Sequence, residues 1–141
     1  MTVPTQRETL YDKQISLVGP MDIVGAHLVS SSSEREYLVR ISYDAHAVEH
    51  TAWNLFDALV QVRRDLERES LRPAVEGACR NVYPSRMARE MGGGRRAYKW
   101  SGGGRPATVD IFDEVPAKEH DRLVYPEEQL AWFQEWRSRS R

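Results

Sequence analysis

Hydrophobic and polar positions alternate along residues 36–43, where Tyr37, Val39, Ile41 and Tyr43 stand against Leu38, Arg40 and Ser42. That period of two predicts a strand with one apolar face. Residues 25–29 predict its partner, joined to it through a polar loop at 30–35, and residues 14–18 predict an earlier strand ended by Gly19 and Pro20. The period then lengthens. Val48, Ala52, Leu55, Leu59, Val62 and Leu66 recur every three or four residues, Trp53, Phe56 and Val60 widen the stripe, and Arg63, Arg64, Asp65, Glu67 and Arg68 take the opposite side. The spacing predicts the main helix over 47–69, capped by Asp44, with a stripe broad enough to face a sheet.

Pro73 closes that helix, and residues 74–80 predict a second core strand with Val75, Gly77 and a buried Cys79 on one face. Pro84 and Ser85 open a short helix over 86–91, and Gly92, Gly93 and Gly94 end it. Alternation returns at 95–100, with Arg96, Tyr98 and Trp100 on one side and Arg95, Ala97 and Lys99 on the other. A second glycine run at 102–104 and an apolar stretch at 108–112 make residues 95–113 a hairpin. Residues 114–125 read as loop. A closing helix starts at Pro126, with Glu127 and Glu128 at its electropositive end, Arg137 and Arg139 at the other, and Trp132, Phe133 and Trp136 docking it. The order predicts an α+β fold: a mainly antiparallel sheet of five or six strands, one long helix on a face, and a C-terminal helix. The crossover from 36–43 to 74–80 allows one parallel pair.

Composition narrows the class. The chain has 141 residues with 40% hydrophobic positions, and no internal repeat or linker divides it. Residues 1–141 therefore read as a single globular domain frayed at both ends. One cysteine excludes an internal disulfide and a cysteine-built zinc site. Residues 1–14 carry Arg7, Glu8, Asp12 and Lys13 and lack the apolar centre of a secretory signal, and no run is long and apolar enough to span a bilayer. The expectation is a cytoplasmic protein without a membrane segment.

Charge is uneven. Residues 1–79 carry a net −4, residues 80–105 a net +6, and residues 106–141 a net −3. In the basic block Tyr83, Arg86, Arg89, Arg95, Arg96, Tyr98, Lys99, Trp100 and Arg105 interleave cations with aromatics, which marks the candidate binding surface. Such a mixture suits protein interface anchors and an acidic partner, or single-stranded nucleic acid held by phosphate pairing and base stacking. An arginine-rich solvated face neutralised by acidic neighbours explains the same residues without function.

Two shorter motifs bear on chemistry. His46, Glu49 and His50 match H-x-x-E-H, whose histidines hold zinc from one helix face while the glutamate activates water. The pattern lacks a third ligand motif, and two exposed histidines at a helix start account for it. Gly92-Gly93-Gly94-Arg95-Arg96 could cradle phosphate, but the glycines follow a helix C-terminus instead of opening a helix, so a cap and turn explain them. Neither Ser85 nor Cys79 has a sequence context that would activate a nucleophile. No catalytic residue and no cofactor are assigned, and the reading leans away from an enzyme.

The stretch from Trp53 to Trp100, with WNLFDALVQVRRDLE and AVEGACRNVYPSRMAREMGGGRRAY, then VDIFD and the closing EEQLAWFQEW, resembles small single-domain bacterial proteins of unassigned function. Proteins of that size and type are similar to the immunity or accessory proteins of secreted toxins. The resemblance implies a non-enzymatic protein-binding module, an immunity or adaptor protein that covers a partner's active site. The alternative is a nucleic-acid or phosphate-ligand binder using the arginines of 80–105. A small metalloenzyme ranks last. The expected partner is another protein, such as a toxin, and a homodimer would cover the open sheet edges.

Overall fold

The computed structural model describes residues 6–34 and 36–139. Fraying expected at residues 1–5 and 140–141 lies outside them, whereas Ser138 and Arg139 continue the last helix. Strands β1 (Glu8–Val18), β2 (Ile23–Ser32), β3 (Tyr37–Tyr43) and β4 (His46–Ala52) form an antiparallel meander, and a two-residue strand, β5 (Arg72–Pro73), pairs with β1. The sheet order is β4-β3-β2-β1-β5. The chain is α+β as expected, with an antiparallel main sheet of five strands, of which β4 and β5 were not among the expected strands, and helix α1 (Leu55–Glu67) against it. A small second sheet was not foreseen: β6 (Val82–Tyr83), β7 (Arg96–Lys99) and β8 (Ala107–Asp110) pair in that order. Helices α2 (Arg86–Met91) and α3 (Pro126–Arg139) complete the fold.

Alternation explains the main sheet. Ile15 and Leu17 of β1, Ala26 and Leu28 of β2, and Val39 and Ile41 of β3 are buried on one face. The other face carries Asp12, Gln14, Arg40 and Glu49, with Arg40 and Glu49 directly opposite each other and bonded at 3.2 Å. This is an antiparallel sheet with one solvated side. Helix α1 covers the apolar side with Leu55, Leu59, Val62 and Leu66, all fully buried.

Three expectations fail for physical reasons. The main helix does not begin near residue 47. Asp44 turns a tight β3–β4 hairpin at φ 49°, a left-handed conformation that Asp tolerates. Residues 46–52 then alternate as β4, with Val48, His50 and Ala52 half-buried and Ala47, Glu49 and Thr51 exposed. The helix cap is Asn54, whose Oδ1 accepts the Asp57 N–H at 2.9 Å. Trp53 consequently leaves the core stripe and stands 83% exposed.

Residues 74–80 are not a strand either. After β5 the chain makes a 3-10 turn, Glu76–Ala78, buried on every side. A Cβ on Gly77 would lie 2.9 Å from Ile111 Cβ and 3.0 Å from the Ile111 carbonyl, so only glycine allows this approach. The uninterrupted apolar run reflects burial all round, which imitates a core strand in sequence. Every strand pairing is antiparallel, so the parallel pair is absent among the described residues. The loop at 114–125 holds a further 3-10 segment, Ala117–Arg122.

The triple glycine is a packing device. Gly92 and Gly94 both donate their N–H to the Ala88 carbonyl, closing α2, while the Gly93 carbonyl accepts the Leu55 N–H at the start of α1. Gly94 has φ +71°, and a Cβ there would sit 2.6 Å from Asn54 Oδ1, against the cap of α1. The glycines thus serve as a helix terminus and an abutment for the next helix.

Candidate functional site

Helix α3 brings together what the sequence left apart. Its Phe133 stacks on Tyr83 of β6 at 4.3 Å and 7°, and its Trp136 lies 4.5 Å from Trp100, which follows β7. Tyr83 also meets Phe56 of α1 edge-on at 5.2 Å, so the helix, the small sheet and the core are joined by rings. The outer side of this cluster is hollow. A groove of about 360 Å³ runs between α3 and the β7–β8 hairpin, lined by Pro84, Tyr98, Trp100, Pro106, Phe133 and Trp136, with Arg137, Ser85 and Gly104 at its margin. A smaller hollow of about 100 Å³ shares Ser85 and Tyr98 with it and adds Arg96 and Thr108. Neither lining includes an Asp or a Glu.

Strand β7 sets the polarity of that wall. Arg96 and Tyr98 point outward, while Ala97 is buried and Lys99 turns inward to Glu76 at 3.2 Å. Arg96 donates to the Thr108 carbonyl at 3.1 Å and hydroxyl at 3.0 Å across the hairpin, and Asp110 stands opposite it in the register. Trp100 Nε1 is shielded from solvent and finds no acceptor among the described residues.

The sequence-defined basic surface divides over several places. Tyr98, Trp100 and Arg96 belong to the groove and its extension, and exposed Arg105 lies in the hairpin loop between two lining residues, Gly104 and Pro106. Tyr83 is covered by Phe133 on one side of its ring, with the Arg89 guanidinium 5.6 Å from the ring centre. Arg86 pairs with Glu90 at 3.0 Å and Arg89 approaches Asp57 at 3.9 Å, and both line a different hollow, of about 410 Å³, beside Trp53. Arg95 lies over the Tyr11 ring at 5.6 Å. The sequence block is therefore no continuous cationic stripe. Phe133, Trp136 and Arg137 were read only as parts of a docking helix, although the density of aromatics at 132–136 was the available signal.

The zinc pattern falls apart geometrically. On a strand, His46 and His50 share a face but stand roughly 13 Å apart at 3.3 Å per residue, and Glu49 points to the other face. Zinc ligands must converge within a few ångströms of one ion. His50 instead bonds Asp65 of α1 at 2.7 Å, and Glu49 bonds Arg40. No group of three His, Cys, Asp or Glu residues that could hold a metal occurs among the described residues. His50 does line a hollow of about 520 Å³ between β4, α1 and the start of α3, where Arg64 and Glu127 approach to 3.5 Å.

Shifted proton affinities mark the framework beside the site. Burial raises the Tyr11 hydroxyl far above its ordinary value of 10.0, and its hydrogen bond to the Asp110 carboxylate raises it further. Burial likewise pushes the Cys79 thiol up from 9.0 to about 12. Both groups hold their protons more tightly in the folded chain than in the unfolded one. Their contribution to stability is full below pH 9.0 and is lost as pH rises toward the folded values. Urea midpoints are expected to fall progressively above pH 9.0, and Tyr11→Phe should flatten that fall. A midpoint that stays level through this range would contradict the burial of both groups.

No helix of the described residues is long and apolar enough to cross a membrane. No protein-family model matches the chain, and no curated protein matches it.

Proposed function

We propose that the protein is a non-enzymatic binding module for another protein, of immunity or adaptor type, which acts by covering a functional surface of its partner. The observation that supports this reading is the groove between α3 and the β7–β8 hairpin. It combines aromatic and proline walls with arginines at the margin and has no acidic residue in its lining. Trp, Tyr and Arg are the residues whose truncation costs most in protein interfaces. Tyr98, 39% exposed, offers such a surface without further rearrangement.

A tagged pull-down from the native host, with nuclease treatment and moderate salt, tests the proposal when wild type and Tyr98→Ala/Arg137→Glu are compared. Both positions are exposed, so the fold should be retained. The expected result is a stoichiometric protein that survives nuclease and is lost from the variant, and whose own activity falls when the purified wild type is added. A loss of about 2 kcal/mol at a hot spot corresponds to roughly thirtyfold in affinity. Recovery of nucleic acid alone, sensitive to nuclease, would overturn the proposal in favour of a nucleic-acid binder.

A further inference from the structure

We infer that the groove takes an acidic, extended segment of a partner protein, anchored by an apolar side chain seated between Tyr98, Trp100 and Trp136. This rests on the protein-binding reading and adds the chemistry of what is bound.

Charge complementarity carries the inference. Arg96 of the hairpin lines the smaller hollow, Arg137 of α3 lines the groove, and exposed Arg105 lies in the hairpin loop between Gly104 and Pro106 of the groove lining. Arg96 is held by a hydroxyl and a carbonyl of Thr108, which fix its direction, and its register partner across the hairpin, Asp110, gives its carboxylate oxygens to Tyr11 and the Phe112 N–H. No ion pair to a described carboxylate engages Arg105 or Arg137. The nearest acid on α3, Glu135, is bonded to Arg139 at 2.5 Å and lies outside the lining. Guanidinium groups flanking an apolar slot select carboxylates placed on either side of an apolar residue.

The same geometry disfavours single-stranded nucleic acid. Base stacking needs ring faces that stand clear. Here Trp100 lies against Trp136 and Phe133 against Tyr83, and of these rings and Tyr98 only Tyr98 is exposed. The chain also carries a net charge of −1, and the other cations of the basic block turn inward or pair elsewhere.

Fluorescence anisotropy with the full-length protein tests the inference using three labelled probes: a short peptide alternating Glu with Pro and Trp, its counterpart with Lys for Glu, and a thymidine oligonucleotide. The acidic peptide is expected to bind and the basic one not. Arg105→Glu/Arg137→Glu should weaken the acidic peptide about tenfold or more and reverse the preference. Arg105→Gln/Arg137→Gln, which cannot repel, should give a smaller loss in the same direction. Melting curves matching wild type establish that either variant is folded.

Equal or tighter binding of the basic peptide would overturn the acidic class. So would failure of both peptides while a groove-dependent partner is still captured from the host. In these two cases the protein-binding module stands. Tight binding of the oligonucleotide with affinity falling steeply in salt would overturn both the inference and the reading beneath it.

Discussion

Replacing Arg63 by alanine is expected to destabilise the protein by about 3–5 kcal/mol, among the largest losses available to one substitution. Arg63 is 1% exposed inside the core and has no carboxylate bonded to it among the described residues. Its guanidinium instead donates to the Gly77 carbonyl at 3.2 Å, Gln129 Oε1 at 2.6 Å and the Val124 carbonyl at 2.9 Å. Gln129 continues the network, sharing its Nε2 among the carbonyls of Gly77, Cys79 and Val82, each at 2.9 Å. One cation on α1 thereby satisfies the irregular buried backbone that links the 3-10 turn, β6 and α3. Burial lowers its proton affinity to about 10, so it stays charged at neutral pH, and the desolvation cost of that charge is fully present there. The carbonyls offset that cost. Alanine would remove their donor and leave a cavity, adding two penalties. Arg63→Met fills much of the space without donating, so the difference between the two variants isolates the hydrogen bonds. Urea denaturation of both, checked by melting temperature, measures this. A loss below about 1 kcal/mol for alanine would mean that water replaces the guanidinium at no cost.

Arg63 also shows where sequence legibility ends. Its neighbours in the pattern placed it on the solvent side with Arg64 and Arg68, because periodicity sorts residues by type and cannot see a charge recruited inward by distant carbonyls. The strand at 36–43, the hairpin at 95–113 and the helix from Pro126 were legible, since local period and turn residues agree with the fold. The boundary at residues 46–54 was not. There a strand with weak β-preference runs into a helix in phase, so Val48, Ala52 and Leu55 continue the three-and-four spacing across two different elements. The hairpin half of the groove was readable from Arg96, Tyr98 and Trp100. Its other half depends on α3 crossing the small sheet, a long-range placement with no local signature.

The second large effect concerns the wall of that groove. Glu76→Ala is expected to cost about 3–5 kcal/mol, because it removes the acid from a buried cluster and leaves its cations behind. Glu76 is 5% exposed and bonds Arg122 at 2.6 Å and Lys99 at 3.2 Å. Arg122, itself 8% exposed, would keep only Glu119 at 2.9 Å and Asn81 Oδ1 at 3.1 Å. Glu76→Gln preserves shape and one acceptor oxygen, so its loss should be smaller, about 1–2 kcal/mol. Glu76→Ala/Arg122→Met should be less destabilised than the sum of its single variants, since it removes the stranded cation along with the acid. Additivity in that cycle would show that the pair is already well hydrated. The network also has a positional role, because Lys99 belongs to β7 and Asn81 donates to the Trp100 carbonyl at 2.8 Å. Through these links Glu76 ties the hairpin to the 3-10 segment Ala117–Arg122 that precedes α3. A Glu76→Gln protein that remains folded should therefore bind the acidic peptide more weakly than wild type, while the intact arginines preserve its preference over the basic peptide. If affinity were unchanged, the hairpin would be positioned by the aromatic packing of Trp100 on Trp136 alone.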